Sequence, residues 1–158
     1  VLGAHLAGKQ HPKQQQQVSL PALPVLGLLL QQQQQHVQPD MCLSCQQLVT
    51  VLDLVGLSYL LVTLPDGLLT QCEAWGDVLS PGEMQRLTFA RVLLHMPLLV
   101  VLDEATSALP DAAAVQLYRL LQGAGVSYVS VGHSSSLRQV HDRVLKIAGD
   151  GSGGWDLE

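Results

Sequence analysis

The chain has 158 residues, of which 47% are hydrophobic and only 13% charged, enough for one domain with a real core under a sparsely charged surface. Its net charge of −5 argues against a nucleic-acid binder working by bulk electrostatics. No apolar run approaches the ~18–20 residues that cross a bilayer, and no signal-peptide pattern is present.

The first residue is Val1 rather than Met, which reads as a fragment or a processed piece. Residues 1–40 are rich in Gln, Leu and Pro, and two Gln tracts (Gln14–Gln17 and Gln31–Gln35) bracket VSLPALPVLGLLL. This low-complexity segment is expected to stay disordered except where its Leu-rich piece docks, with Val25–Leu30 offering one strand. Gly3–Gln10 fits the phosphate-cradling pattern G-x-x-x-x-G-K but lacks the Ser or Thr that would follow Lys9. Only Val1 and Leu2 precede it, and Pro12 and polyglutamine follow. That context argues for a chance match, with Lys9 its one phosphate-binding candidate.

Composition changes at Met41. A helix capped by Asp40 or Ser44 is predicted through Cys45, Leu48, Val49, Leu52 and Leu54, ending at Gly56. Cys42 and Cys45 form a C-x-x-C and Cys72 stands apart. With no second ligand pair, these read as reduced thiols rather than a zinc site. Pro65-Asp66-Gly67 is a turn signal, and Trp75 reads as a packing residue.

Ser80-Pro81-Gly82-Glu83 is a capping box with Pro at the first helical position. The free amides of such a turn carry the positive end of the helix dipole and favour phosphate, although Pro81 removes one donor. The helix is predicted over Ser80–Met96, stopping before Pro97, with Leu87, Ala90 and Leu94 on one face and Arg86 and Arg91 at the surface or in ion pairs. Leu98–Leu102 is an apolar run without alternation, predicting a strand covered on both faces. Asp103 and Glu104 stand at its end, where open α/β sheets place ligands. Two adjacent acids there are costly unless they serve a cation, a proton or a positive partner.

Pro110 and Asp111 open a further helix to about Gln122, ended by Gly123 and Gly125. Val126–Val131 is a second buried-strand candidate, with Gly132 and His133 at its end. Ser134 then caps a short helix containing Leu137 and Val140, His141 is expected at the surface, and Val144–Ala148 reads as a last strand before the glycine turn of Asp150–Gly154.

The order LSPGEMQR, apolar strand, DEATSAL and then a strand-end histidine resembles the ABC-type ATPases, and the spelling VLSPGEMQRLTFAR is most similar to their D subfamily. The likeness runs from about Leu48 to the end of the chain. It implies an α/β, P-loop NTPase-like (RecA-like) parallel sheet flanked by helices, of which this chain holds the C-terminal part and a partial helical subdomain. Residues 41–158 would form that partial ATPase domain, divided into a helical and signature part (41–97) and an acidic-strand and switch-histidine part (98–158). ATP and Mg²⁺ are the implied cofactors.

Asp103 would hold the magnesium ion through water, Glu104 would act as general base, and His133 would contact the γ-phosphate. Ser80, Gly82 and Glu83 would grip ATP held by a second nucleotide-binding domain. The implied partners are that domain and a membrane domain, with no nucleic acid. The implied place is the cytosolic face of an organelle membrane, lysosomal, with peroxisome and endoplasmic reticulum as alternatives. Pro110 stands where this family usually has Asp, which leaves the loop's contact with its partner open. Two other readings compete: a soluble ABC-like ATPase, disfavoured by the lack of heptad arms or basic surfaces, and a non-catalytic fragment that binds an intact partner.

Overall fold

The computed structural model describes residues 2–5 and 44–158. The Gln tracts, the strand expected at Val25–Leu30, Asp40, Cys42 and Lys9 lie outside the described residues.

Five strands form one sheet in the order β2-β3-β1-β4-β5, where β1 is Leu2–His5, β2 Leu99–Asp103, β3 Ser127–Val131, β4 Arg143–Ile147 and β5 Trp155–Leu157. Strands β2 and β3 are parallel, Leu99 opposite Ser127 through Asp103 opposite Val131. The other three pairings are antiparallel: β1 with β3, β1 with β4, and β4 with β5. The expected parallel sheet is therefore a mixed one. β2, β3 and β4 share a direction, while β1 and β5 run against it.

The helices are α1 (Cys45–Leu54), α2 (Leu60–Thr63), α3 (Trp75–Val78), α4 (Pro81–His95) and α5 (Asp111–Ala124), with a 3₁₀ turn at Ser135–Val140. Ser44 rather than Asp40 caps α1, its hydroxyl accepting from the Gln47 amide while Gln47 reaches back to the Ser44 amide at 2.9 Å. Gly56 follows the helix at φ +73°, which lets the chain turn sharply. Helix α4 ends at Met96, held at φ +46° just before Pro97. Helix α5 runs two residues past the expected Gln122, taking Gly123 inside, and Gly125 at φ +74° terminates it.

Layering follows from which strand residues point at the helices. On one face Leu102, Tyr128, Ser130 and Val144 are buried, together with Phe89, Leu93, Val115, Tyr118 and Leu121 from α4 and α5. Phe89, Tyr118 and Tyr128 meet edge-on, with ring centroids 5.5 and 5.1 Å apart. Burying each of these rings contributes roughly 2–3 kcal/mol.

On the other face Leu99, Val101, Val131, Ile147, Trp155 and Leu157 are exposed. Among the described residues β2 is thus an edge strand covered on one face, not the doubly covered strand its apolar run predicts. Leu99 and Val101 alternate outward while Leu102 points in.

His141 corrects a second expectation. It is half-buried, wedged between Tyr118 and Tyr128 at 5.4 and 5.2 Å. Its Nδ1 lies 2.7 Å from the Leu137 carbonyl and its Nε2 2.7 Å from the Ser130 hydroxyl. A Cβ added at Gly3 would sit 2.3 Å from the His141 ring, so β1 passes there only because residue 3 has no side chain.

Candidate functional site

Two groups of residues flank the loop that follows β2. The first is the start of α4. Ser80, in extended conformation, accepts from the Glu83 amide at 3.3 Å. In return the Glu83 Oε2 accepts from the Ser80 amide and hydroxyl, both at 2.6 Å. Pro81 occupies the first helical position, where its missing N–H leaves no intrahelical bond unmade. The hydroxyls of Ser80, first, and of Tyr59, next, hold the Glu83 carboxyl below its ordinary range. Ser80 is exposed, and Gly82 and Glu83 are half-buried. A Cβ at Gly82 would lie 3.2 Å from Leu109 and 3.4 Å from the Ala108 carbonyl, so this turn packs closely on the loop.

The second group stands at the strand ends. Asp103 closes β2, exposed, opposite Val131. Glu104 then adopts φ +47°, a left-handed conformation that costs a residue with a Cβ about 1 kcal/mol or more. Its amide still donates to the Val131 carbonyl at 3.0 Å, so the turn begins on the last rung of the ladder. The left-handed kink brings the Glu104 carboxylate to the histidine two residues past β3, with His133 Nδ1 3.3 Å from Oε2 and 3.4 Å from Oε1. Both side chains are open to solvent, His133 at 80% and Glu104 at 49%. A cleft beside them is lined by Glu104, Ser107, Asp111, Gly132, His133 and Ser134.

Gln85 joins the two groups. One turn into α4, its amide nitrogen donates to the Glu104 carbonyl at 3.3 Å and to the Ser107 hydroxyl at 3.0 Å. Its oxygen accepts from the Ala108 amide at 3.0 Å. Three bonds from one side chain thus fix the loop that carries Glu104.

Sequence reasoning singled out QR only as part of the motif order, and the signal for this role is its spacing, two residues past the cap box. Arg86, expected at the surface or in an ion pair, instead donates at 2.9 Å to the Val55 carbonyl at the end of α1. Ser134 donates to Asp111 at 2.9 Å, tying the His133 loop to the first turn of α5. Pro110 is the residue preceding α5, not a member of its first turn.

Of the expected site residues, the fold therefore brings Glu104 and His133 together and leaves Asp103 beside them. Ser80, Gly82 and Glu83 form their own cluster, linked through Gln85. Lys9 lies outside the described residues, while Gly3, Ala4 and His5, the first letters of its motif, are paired within β1.

A magnesium ion demands few protein ligands, one or two carboxylates with phosphate and water completing the shell. Asp103, an exposed carboxylate at the end of β2, fits that demand. Among the described residues no three His, Cys, Asp or Glu side chains group to hold a metal by themselves. Cys45 and Cys72 are free thiols, Cys45 exposed and Cys72 half-buried. No described helix is long and apolar enough to cross a membrane.

No family model matches the chain. It is 50% identical over 113 residues to the lysosomal cobalamin transporter of Mus musculus, a match covering 71% of this chain and 18% of the relative. It is 48% identical over 113 residues to the lysosomal cobalamin transporter of Homo sapiens, with the same coverage. To the chloroplastic ABC transporter D family member 2 of Arabidopsis thaliana it is 48% identical over 82 residues, 52% of this chain and 12% of the relative. The matched part of the chain spans less than a fifth of the length of these relatives. With half of its residues shared over most of its length, and with its sheet and helices forming a mixed α/β domain, the chain belongs to the D subfamily of ABC transporter ATP-binding proteins.

Proposed function

We propose that this chain supplies the signature turn and the hydrolytic acids of an ABC transporter ATPase domain of P-loop NTPase-like fold. On that reading residues 41–158 are a partial ATPase domain whose work is ATP hydrolysis coupled to transport. Cobalamin is the substrate suggested by the relatives' names and the lysosome the matching organelle; carriage from lysosome to cytosol, powered at the cytosolic face, is what the family resemblance implies. The observation that carries the reading is the pair at the strand ends: Glu104, bent at φ +47°, with its carboxylate 3.3 Å from His133 Nδ1.

Glu104 accepts a proton from a water molecule, whose oxygen attacks the γ-phosphorus. The Pγ–O bond to ADP breaks in the same displacement, giving ADP and phosphate, and catalysis rests on positioning and charge neutralisation more than on covalent chemistry. His133, fixed by Glu104 at Nδ1, turns Nε2 outward; protonated there, it donates to a γ-phosphate oxygen and offsets charge as the phosphoryl group moves. Asp103 would hold magnesium through water, and the ion would neutralise phosphate charge. Ser80, Gly82 and the first amides of α4 grip a triphosphate seated on a second nucleotide-binding domain, which makes the active unit a dimer.

The test is steady-state ATP hydrolysis by the transporter-length dimer carrying Glu104→Gln. Loss of at least about 100-fold in kcat is expected for a general base, and undiminished turnover removes the role.

A second reading, a non-catalytic piece that docks on an intact partner, is favoured by one observation. Gly3 and Ala4 are paired on both sides in β1 and His5 with β3, which gives the start of the G-x-x-x-x-G-K match a strand's work instead of a loop's. Calorimetry on the isolated chain tests that observation: micromolar ATP binding lost in Lys9→Ala would assign nucleotide capture to residues 3–10 and remove the second reading, whereas weak or no binding leaves residues 3–5 to the sheet.

A further inference from the structure

The Ser80 turn has an internal conflict. The Ser80 hydroxyl proton, which a phosphate oxygen would need, is already donated to Glu83 Oε2 at 2.6 Å. Releasing it strips a donor from a carboxylate that stands in the first helical turn, next to where the anion would arrive. Two donors on that carboxylate would survive the release: the Ser80 amide on Oε2, and a phenol on the other oxygen.

The phenol is Tyr59, whose hydroxyl donates to Glu83 Oε1 from 24 residues away. Its backbone is pinned on both sides, since Leu57 and Leu60 are buried in the core while the Tyr59 ring stays 45% exposed at the surface. The corner that carries it is tied to the same face of α4 one turn later, where Arg86 donates to the Val55 carbonyl. Gly56, at φ +73° in that corner, would bring an added Cβ to 3.0 Å from the Arg86 guanidinium. Two tethers three residues apart on α4, Glu83 and Arg86, thus fix the Tyr59 corner against the signature turn. Arg86 is the charged group acting on Tyr59 besides Glu83, and the Glu83 bond raises the phenol's own pKa.

We infer that Tyr59 is a positioning residue for phosphate capture: by holding Glu83 Oε1 it lets Ser80 Oγ–H turn from the carboxylate to an incoming phosphate oxygen. This rests on the nucleotide-gripping role given above to Ser80. The ligand chemistry is a terminal phosphate of a nucleoside triphosphate, and the effect falls on affinity, not on the chemical step.

The test has two arms, both with the full 158-residue chain and Tyr59→Phe. In the first, NMR follows the Glu83 side-chain carboxyl carbon through an acid titration. The midpoint should rise in the variant while the urea midpoint for unfolding stays close to the parent's, because the ring is half exposed. An unchanged Glu83 midpoint removes the contact.

In the second, Mg-ATP is titrated into the chain mixed with the full-length mouse cobalamin transporter. Half-maximal association should need roughly three- to tenfold more ATP in the variant, with its maximal extent preserved. An equal ATP requirement, with a shifted Glu83 midpoint, reduces Tyr59 to a structural contact and overturns the inference. Absence of ATP-dependent association by the parent chain overturns the nucleotide reading and the inference with it, while leaving the first arm as a separate measure of the Tyr59–Glu83 bond.

Discussion

The side-chain bonds that cap α4 at Ser80 span three residues, whereas the side-chain bonds that fix Glu104 and the loop after it span 19 to 29. The cap forms whenever its helix forms, in or out of the fold. The acid loop exists only after α4, β2 and β3 have assembled, because Gln85, Val131 and His133 supply its partners. A left-handed Glu104 is held by surroundings that over-determine it. One half of the proposed site is therefore a local property of the chain, and the other is a product of tertiary structure.

The sharpest way to break this comparison is at the tertiary half. His133→Ala should lower ATP turnover of the transporter-length dimer by about 100-fold, measured as kcat, with little change in unfolding midpoint because the side chain is 80% exposed. Gln85→Ala should cost about 1–1.5 kcal/mol in urea unfolding, since it removes three hydrogen bonds to the loop at once at groups that water can reach. A loss as small as a surface substitution gives would mean the loop holds itself. Ser80→Ala should cost about 1 kcal/mol by the same measurement, the ordinary value for a lost cap.

The smallest effect is in acid. Glu83 is held below its ordinary pKa, chiefly by Ser80 and then Tyr59, so its folded value lies under the unfolded one. The stabilisation is present above the unfolded value, near 4.3, and fades as pH falls through the folded one. Glu83→Gln should flatten that acid limb in a series of urea midpoints against pH. At the other extreme, burial pushes the Tyr118 and Tyr128 hydroxyls up, so the stability they contribute is lost only as pH rises past about 10.

What could be read before folding follows the same division. The cap at Ser44 (offered beside Asp40), the capping box at Ser80, the stop at Pro97 and the two strands that lead to Asp103 and to the Gly132–His133 loop are signalled within a few residues, and the structure has all of them. The pairing of β1 with β3 and β4 joins residues more than 120 positions apart, and nothing in Leu2–His5 announces it. Gly3 is required there by the His141 ring, a contact visible only once the sheet is built. His141 is expected at the surface because it ends no predicted strand, whereas Tyr118 and Tyr128 enclose it from other elements. The apolar run of β2 predicts cover on both faces, yet strand residues alternate, and the described helices lie on one side. Tyr59 carries no motif that marks a long-range partner, and Gln85 carries only its spacing from the cap box.

The most direct measurement of the central claim is a double-mutant cycle on ATP hydrolysis with Glu104→Gln and His133→Ala, made singly and together in the transporter-length dimer. Two side chains 3.3 Å apart and acting on one reacting phosphate should be strongly coupled, so the double variant should be about as slow as the slower single. Losses that simply multiply would place the two residues at separate tasks and contradict a shared hydrolytic site.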